Sequence, residues 1–152
     1  MTHPTDDPVR EFLNSARFAR AEFNRLSQRV KQLEAQCTSI TAALSATPGG
    51  GGSDAERMWA ALADESARLY PQLREAQERE HEVENFINKL EDPAHRLILK
   101  LRYLDTLSWP NVNRQLSCGG VFYSDRQIFR LHGDALAAAR ALWAQEREED
   151  GE

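Results

Sequence analysis

The chain has 152 residues, of which 41% are hydrophobic and 28% are charged. This length suits one domain, or a small domain joined to an extended helical element, and it argues against a large enzyme core. No run approaches the roughly 18 consecutive apolar residues of a membrane span, and the first seven residues lack the basic and apolar regions of a signal peptide. We therefore expect a cytoplasmic protein.

The net charge of −5 is distributed unevenly. Residues 93–140 contain seven Lys and Arg against three Asp and Glu, whereas residues 1–92 contain 11 against 16 and residues 141–152 contain one against five. A basic segment inside an acidic chain is typical of a localised phosphate-binding surface. The overall acidity therefore does not exclude nucleic acid as a partner.

Residues 9–44 follow an unbroken heptad pattern. Its eleven seam positions are all apolar: Val9, Phe12, Ala16, Ala19, Phe23, Leu26, Val30, Leu33, Cys37, Ile40 and Leu44. Alternating steps of three and four over about five heptads predict a coiled-coil helix. Asp7 is expected to cap this helix, with Pro8 at its first position. The seam could be covered within one chain or by a second copy.

The run from Thr47 to Gly52 predicts a flexible turn, because Pro lacks an amide donor and consecutive Gly residues impose no backbone preference. Ser53 and Glu56 then have the spacing of a capping box. An apolar stripe follows, with Trp59, Leu62, Leu69, Leu73, Ala76, Val83, Ile87 and Leu90. Two runs of about 38 residues each predict an antiparallel coiled-coil hairpin over residues 1–92, with its turn at 46–53.

The second long helix is expected to be less regular than the first. Pro71 lies in the middle of the run and predicts a kink or break near Tyr70, because it removes a hydrogen bond and clashes with the preceding turn. The two arms also differ in charge, with +1 over residues 1–52 and −6 over residues 53–92. Flanking charge pairs could therefore help to fix their pairing.

Residues 93–145 predict a small unit of three helices. Asp92 and Pro93 mark the start of the first, whose buried face would include Leu97, Leu101 and Leu104. The second helix follows Ser108, with Trp109, Val112 and Leu116 at helical spacing, and ends at Ser117 to Gly120. Ser124 is expected to cap the last helix, which continues to about Gln145. Residues 146–152 are expected to be an acidic disordered tail, so the predicted fold class is all-α throughout.

The last two helices have the order of a helix-turn-helix, in which the N-terminal turns of the second helix enter the major groove of DNA. The recognition helix would span about 124–145, with Ser124, Arg126, Gln127 and Arg130 in its first turns. Arg can present two donors to guanine, and Gln can pair with adenine. Lys100, Arg102 and Arg114 are better suited to phosphate contacts. The opposite face, with Ile128, Leu131, Ala135 and Leu142, would pack in the core.

A resemblance to known proteins rests on the segments Leu101-Arg102-Tyr103, Ser108-Trp109, Ser124 to His132 and Ala135-Leu136. These residues resemble a family of uncharacterised phage and prophage proteins that is similar to the ArpU and RinA type phage transcription regulators. The C-terminal unit resembles the region-four helix-turn-helix of bacterial sigma factors. The resemblance implies regulation of phage genes through DNA, in the cytoplasm of a host bacterial cell. Ser117 to Tyr123 form a longer turn than is usual there, and we expect Val121, Phe122 and Tyr123 to pack under the recognition helix.

No motif supports an enzyme. No nucleophile, base and orienting group can be assembled, and neither a phosphate-binding Gly loop nor a zinc motif is present. We expect no catalytic residue, no cofactor and no metal. Cys37 and Cys118 are interpreted as buried or incidental thiols. Trp109 is interpreted as a core anchor, and His132 as a partly buried structural histidine.

These observations lead to one principal hypothesis and one rival. The principal hypothesis is a sequence-specific DNA-binding transcriptional regulator of a phage or prophage, whose hairpin forms a homodimer or contacts RNA polymerase. The rival is a non-enzymatic interaction protein that docks on or sequesters a host or phage factor through the hairpin, since the second arm and the tail are acidic. Mimicry of nucleic acid by the acidic arm is a weaker third hypothesis, because arginines are interleaved along it.

Overall fold

The computed structural model describes residues 7–46 and 52–151, and its regular structure there is entirely helical. The elements in chain order are α1 (Pro8–Ala46), α2 (Gly52–Asn88), α3 (Pro93–Leu99), a π-helical segment (Lys100–Leu104), α4 (Trp109–Ser117) and α5 (Asp125–Asp150). The predicted all-α fold class is confirmed. Residues 47–51 of the expected turn and the side chain of Ser53 in the expected capping box lie outside the described residues, and Gly52, the last residue of that expected turn, is the first residue of α2.

The chain forms two compact units. Of the described residues, the larger unit contains 7–20 and 78–151, and the smaller unit contains 21–46 and 52–77. Each long helix contributes to both units, so the division differs from the boundary predicted at residue 92. The reason is that the first turns of α1 and the last turns of α2 share a core with the C-terminal helices.

The smaller unit is a helix pair with a narrow apolar seam. Leu26 and Leu33 are fully buried, and Arg29 pairs with Glu65 across the two helices at 2.8 Å. Along the whole of α1, the ten seam positions whose side chains are described are buried or half-buried; Leu44 lies outside them. One chain therefore covers its own seam. α2 is continuous through Pro71, so the predicted break is absent, and Leu69 and Leu73 on either side of the proline are half-buried.

The core of the larger unit draws on every helix. Its buried members are Val9, Leu13 and Ala16 of α1, Val83, Phe86 and Ile87 of α2, Leu90 just after α2, and Ile98, Leu99, Leu101, Tyr103, Leu104, Val112, Ile128, Ala135, Leu136 and Ala139. Phe12, Phe86 and Trp143 form an aromatic cluster with ring centroids 5.1 to 5.8 Å apart. Asp7 caps α1 as predicted and also accepts a hydrogen bond from Arg140 at 2.7 Å, which ties the start of α1 to α5.

α3 continues directly into the π-helical segment, and this change of helix type alters which side chains are buried. Asp92 caps α3 as predicted, accepting from the amide of Ala94 at 2.8 Å. Leu101 and Leu104 are buried as expected, but Leu97 is 45% exposed, so its predicted place in the core is wrong. The core positions of α3 are Ile98 and Leu99 instead, because the helix widens at Lys100 and the extra residue of the π turn shifts the buried face.

The C-terminal residues do not form the expected disordered tail. α5 continues as far as Asp150. Glu146 pairs with Lys89, which follows α2, and the guanidinium of Arg147 lies 5.0 Å from the ring centre of Trp143. These contacts hold the acidic last turns in helical form.

Candidate nucleic-acid interface

The N-terminus of α5 is held by a complete capping box. The Ser124 hydroxyl accepts from the backbone amide of Gln127 at 3.2 Å, and the Gln127 side-chain oxygen accepts from the amide of Ser124 at 2.9 Å. Two otherwise unsatisfied donors are thereby satisfied, and the first turn of the helix is rigid. Ser124 is the N-cap that the sequence predicts.

The linker between α4 and α5 is organised by one amide side chain. Asn113 donates to the carbonyl of Tyr123 at 3.1 Å and to the carboxylate of Asp125 at 3.3 Å, and it accepts from the Ser117 hydroxyl at 2.9 Å. This side chain joins the two ends of the linker and orients α5 relative to α4. Asn113 was not among the predicted site residues, and its position one turn before the linker is the only sequence signal that points to this role.

The linker itself departs from its predicted packing. Tyr123 packs against the core, but Val121 is exposed and Phe122 is 88% exposed, so neither lies under the recognition helix. Gly120 has a φ of 88° at the start of this stretch. The left-handed backbone at Gly120 turns the following two residues outward.

Three of the predicted DNA-binding residues are free to contact a ligand. Arg126 and Arg130 lie one turn apart on the exposed side of α5, and Arg114 is exposed on α4. None of the three makes a hydrogen bond or ion pair within the described ranges 7–46 and 52–151. Exposed guanidinium groups without protein partners keep all their donors for an anion or a base edge.

Two further predicted residues are already engaged at the cap. Ser124 and Gln127 are exposed, but each supplies its side-chain oxygen to the capping box. Bidentate pairing of Gln with adenine needs both its carbonyl oxygen and its amide donor. Gln127 can therefore offer only its amide donor to DNA while the cap is intact.

The remaining two, Lys100 and Arg102, lie in the π-helical segment and are half-buried. Arg102 donates to the carbonyl of Leu107 at 2.9 Å, and its guanidinium carbon lies 4.4 Å from the ring centre of Trp109. Arg102 thus supports the loop before α4 and orients Trp109. Because its guanidinium is engaged in these contacts, Arg102 is not a free cation as the exposed arginines are.

Trp109 is half-buried and packs against the core, as the interpretation of it as an anchor requires. Its ring meets that of His132 at 4.7 Å and that of Phe129 at 5.1 Å, both edge to face. Phe129 is 52% exposed and was not among the predicted site residues. Trp109 and Phe129 help to line a groove of about 670 Å³ between α4 and α5, together with Pro110, Asn113, Arg114 and Phe122.

His132 forms a buried polar pair with Tyr103 beneath this surface. The Tyr103 hydroxyl lies 2.9 Å from Nε2 of His132, and His132 is only 6% exposed. Burial, followed by the charges of Arg10, Arg102 and Arg140, lowers the pKa of His132 to about 4. Burial also raises the pKa of Tyr103. The histidine is therefore neutral at physiological pH and structural, which confirms its interpretation.

Other site chemistry finds no support in the described residues. No three His, Cys, Asp or Glu side chains among them could hold a metal ion together. Cys37 is half-buried and Cys118 is exposed, and both are free thiols. In the part of the chain that the structure describes, no helix is long and apolar enough to cross a membrane.

The fold and this surface define a class: an all-α protein in which a short helix and a capped long helix follow two extended helices. Residues 45–131 match the family described as a protein of unknown function, DUF1492. The match covers more than half of the chain, which belongs to that family. It includes α2, α3, α4 and the first two turns of α5. No curated protein and no solved structure matches the chain significantly.

Proposed function

We propose that this protein is a sequence-specific DNA-binding transcriptional regulator encoded by a phage or prophage, acting in the cytoplasm of the host bacterial cell. It works without catalysis, inserting the first turns of α5 into the major groove of double-stranded DNA. The observation that supports this most is that Arg114, Arg126 and Arg130 are exposed and have no hydrogen-bond or ion-pair partner among residues 7–46 and 52–151. Arg126 and Arg130 follow the capped N-terminus of α5, and Arg114 lines the groove beside it. The resemblance of the C-terminal unit to sigma-factor region four agrees with this role.

The role proposed for each residue follows from its position in the helices. Arg126 and Arg130 lie in the first two turns of α5, where a recognition helix contacts base edges. Arg114 lies on the preceding helix, which in such units lies along the phosphates. Ser124, Gln127 and Arg102 act mainly by shaping the unit, since each side chain is engaged in a hydrogen bond within the protein. Lys100, which is half-buried, keeps its expected phosphate contact.

The first experiment selects bound sequences from a random duplex pool and then measures affinity for the selected site at several salt concentrations. We expect an enriched motif, and Arg126→Ala should weaken binding by about 10-fold to 100-fold and relax preference at one position. Arg114→Ala should weaken binding uniformly and lower the salt slope by about one.

Arg74→Ala is the matched control, because it removes the same charge from an exposed position of α2 in the smaller unit. It should leave both affinity and preference unchanged. Binding that is weak, steeply dependent on salt and without enrichment would overturn the proposal, because phosphate attraction alone gives that behaviour. A two-fold repeated motif would indicate two copies on DNA, with half-sites about one helical turn apart.

A second candidate is a protein-interaction module that docks on a host or phage factor, RNA polymerase included, through the helical hairpin. It is favoured by exposed Met58, Trp59 and Tyr70 on α2, within an arm segment of charge −6 over residues 53–92. Substitution separates the two functions. Loss of activity with Arg126→Ala and Arg130→Ala favours DNA, whereas loss only with changes on the arm favours docking.

A further inference from the structure

Phe129 is a large apolar side chain placed where a DNA-binding surface would be expected to be polar. It is 52% exposed, although its neighbour Ile128 is fully buried in the core. At about 100° per residue, Phe129 lies about 60° around α5 from Arg126, as an i, i+3 neighbour. A single exposed aromatic ring is common on protein surfaces, but one that lies beside exposed guanidinium groups suits a partner that presents an apolar group among anionic ones.

The ring is also held in place. Trp109 meets Phe129 edge to face at 5.1 Å, with an interplanar angle of 68°. Trp109 is fixed in turn by His132 at 4.7 Å and by the guanidinium of Arg102 at 4.4 Å. A side chain supported in this way loses little conformational freedom when it binds, so the entropic cost of a contact through it is small.

The major groove of DNA offers one apolar group, the 5-methyl of thymine, among hydrogen-bonding edges and flanking phosphates. We infer that Phe129 contacts a thymine methyl beside the guanine contacted by Arg126, so that the protein prefers sites with thymine next to guanine. This inference rests on the proposed function, and it adds an apolar contact that none of the predicted site residues could supply. Phe122 is more exposed, but it lies in the linker and not on the helix.

The test starts from the selected duplex and replaces each thymine in turn with deoxyuridine, which keeps base pairing and removes only the methyl group. Wild-type protein should lose about four-fold in affinity at one position, the amount expected for one buried methyl. Phe129→Ala should bind the thymine site more weakly and show no further loss with deoxyuridine there. Phe18→Ala is the matched control, because it removes a 78% exposed ring of α1 that does not line the groove, and it should retain the full loss.

The outcomes are distinguishable. If no sequence is enriched by wild-type protein, the proposed function fails and the inference fails with it. If a site is enriched but no thymine in it responds to deoxyuridine, the DNA-binding function stands and the inference is overturned. A response that persists unchanged in Phe129→Ala would also overturn it, since another group would then contact the methyl. Even if the variant folds poorly, the deoxyuridine series on wild-type protein shows whether any thymine methyl is contacted, and the inference is overturned if none is.

Discussion

His132 and Tyr103 show how single residues couple the stability of the larger unit to pH. The imidazole is buried, its Nε2 lies 2.9 Å from the Tyr103 hydroxyl, and burial and nearby arginines lower its pKa to about 4. In the unfolded chain, a histidine titrates near pH 6.5. The unfolded state therefore binds a proton before the folded state does, and acid should favour unfolding.

We predict that this histidine contributes stability that is fully present above pH 6.5 and is lost as the pH falls towards 4. The loss should reach about 3 kcal/mol by pH 4. Urea unfolding between pH 7 and 4 would measure it, with His132→Gln as the control that lacks the titrating ring. The wild-type free energy of unfolding should fall more steeply than that of the variant. Parallel curves would contradict the lowered pKa.

Gly120 is the second position at which one residue determines local structure. Its φ of 88° lies in the left-handed region, where a side chain is strained even though no atom lies within 4 Å of the position a Cβ would take. Gly120→Ala should lower the free energy of unfolding by about 1 kcal/mol. Gly119→Ala, which has equal space and no positive φ, should change it little. Equal effects in urea denaturation would show that the conformation of Gly120 is unimportant.

At the scale of elements, α5 combines two roles that compete for one side chain. Gln127 has the spacing of a capping box with Ser124 and also the position of a base-contacting residue. From the sequence, Gln127 was predicted to contact a base. Local geometry favours the first, because the cap satisfies two backbone donors whether or not DNA is bound. Arg126 and Arg130, which have no such local partner, remain available.

α1 shows how far a periodic pattern can predict an element. The heptad positions predicted its seam, and each one whose side chain is described is buried or half-buried. Leu13 falls outside the heptad and is nevertheless fully buried. Its burial depends on the C-terminal helices, which share the core of the larger unit with the start of α1. A coiled-coil pattern describes contact with one partner helix only.

Substitution in the seam should therefore be costly. Leu26→Glu places an unpaired charge at a fully buried position and should lower the free energy of unfolding by about 3 kcal/mol or more. Gln28→Glu adds the same charge at an exposed position of the same helix and should have little effect. Circular dichroism melts of the two variants would compare them. A Leu26→Glu melt that matches wild type would refute the buried seam.

At the scale of the whole molecule, the hairpin seam bears on oligomeric state. The apolar positions of α1 that could have paired two copies are covered within a single chain, with Leu26 and Leu33 fully buried. We predict that the protein sediments with the mass of one chain in the absence of DNA. Sedimentation equilibrium over a range of concentrations would measure this. A stable dimer would show that a surface other than this seam joins two copies.

Sequence patterns predicted the all-α fold class and both long helices. They also predicted the caps at Asp7, Asp92 and Ser124 and the separation of a basic segment from acidic flanks. Periodicity, capping and charge are local properties, which is why they can be inferred from neighbours along the chain. The packed structure was needed to show that residues 146–150 are helical, that Leu97 and Phe122 face solvent, and that Arg102 is bound to the loop before α4. Those outcomes depend on residues distant in sequence or on competition between partners, and a linear pattern contains neither.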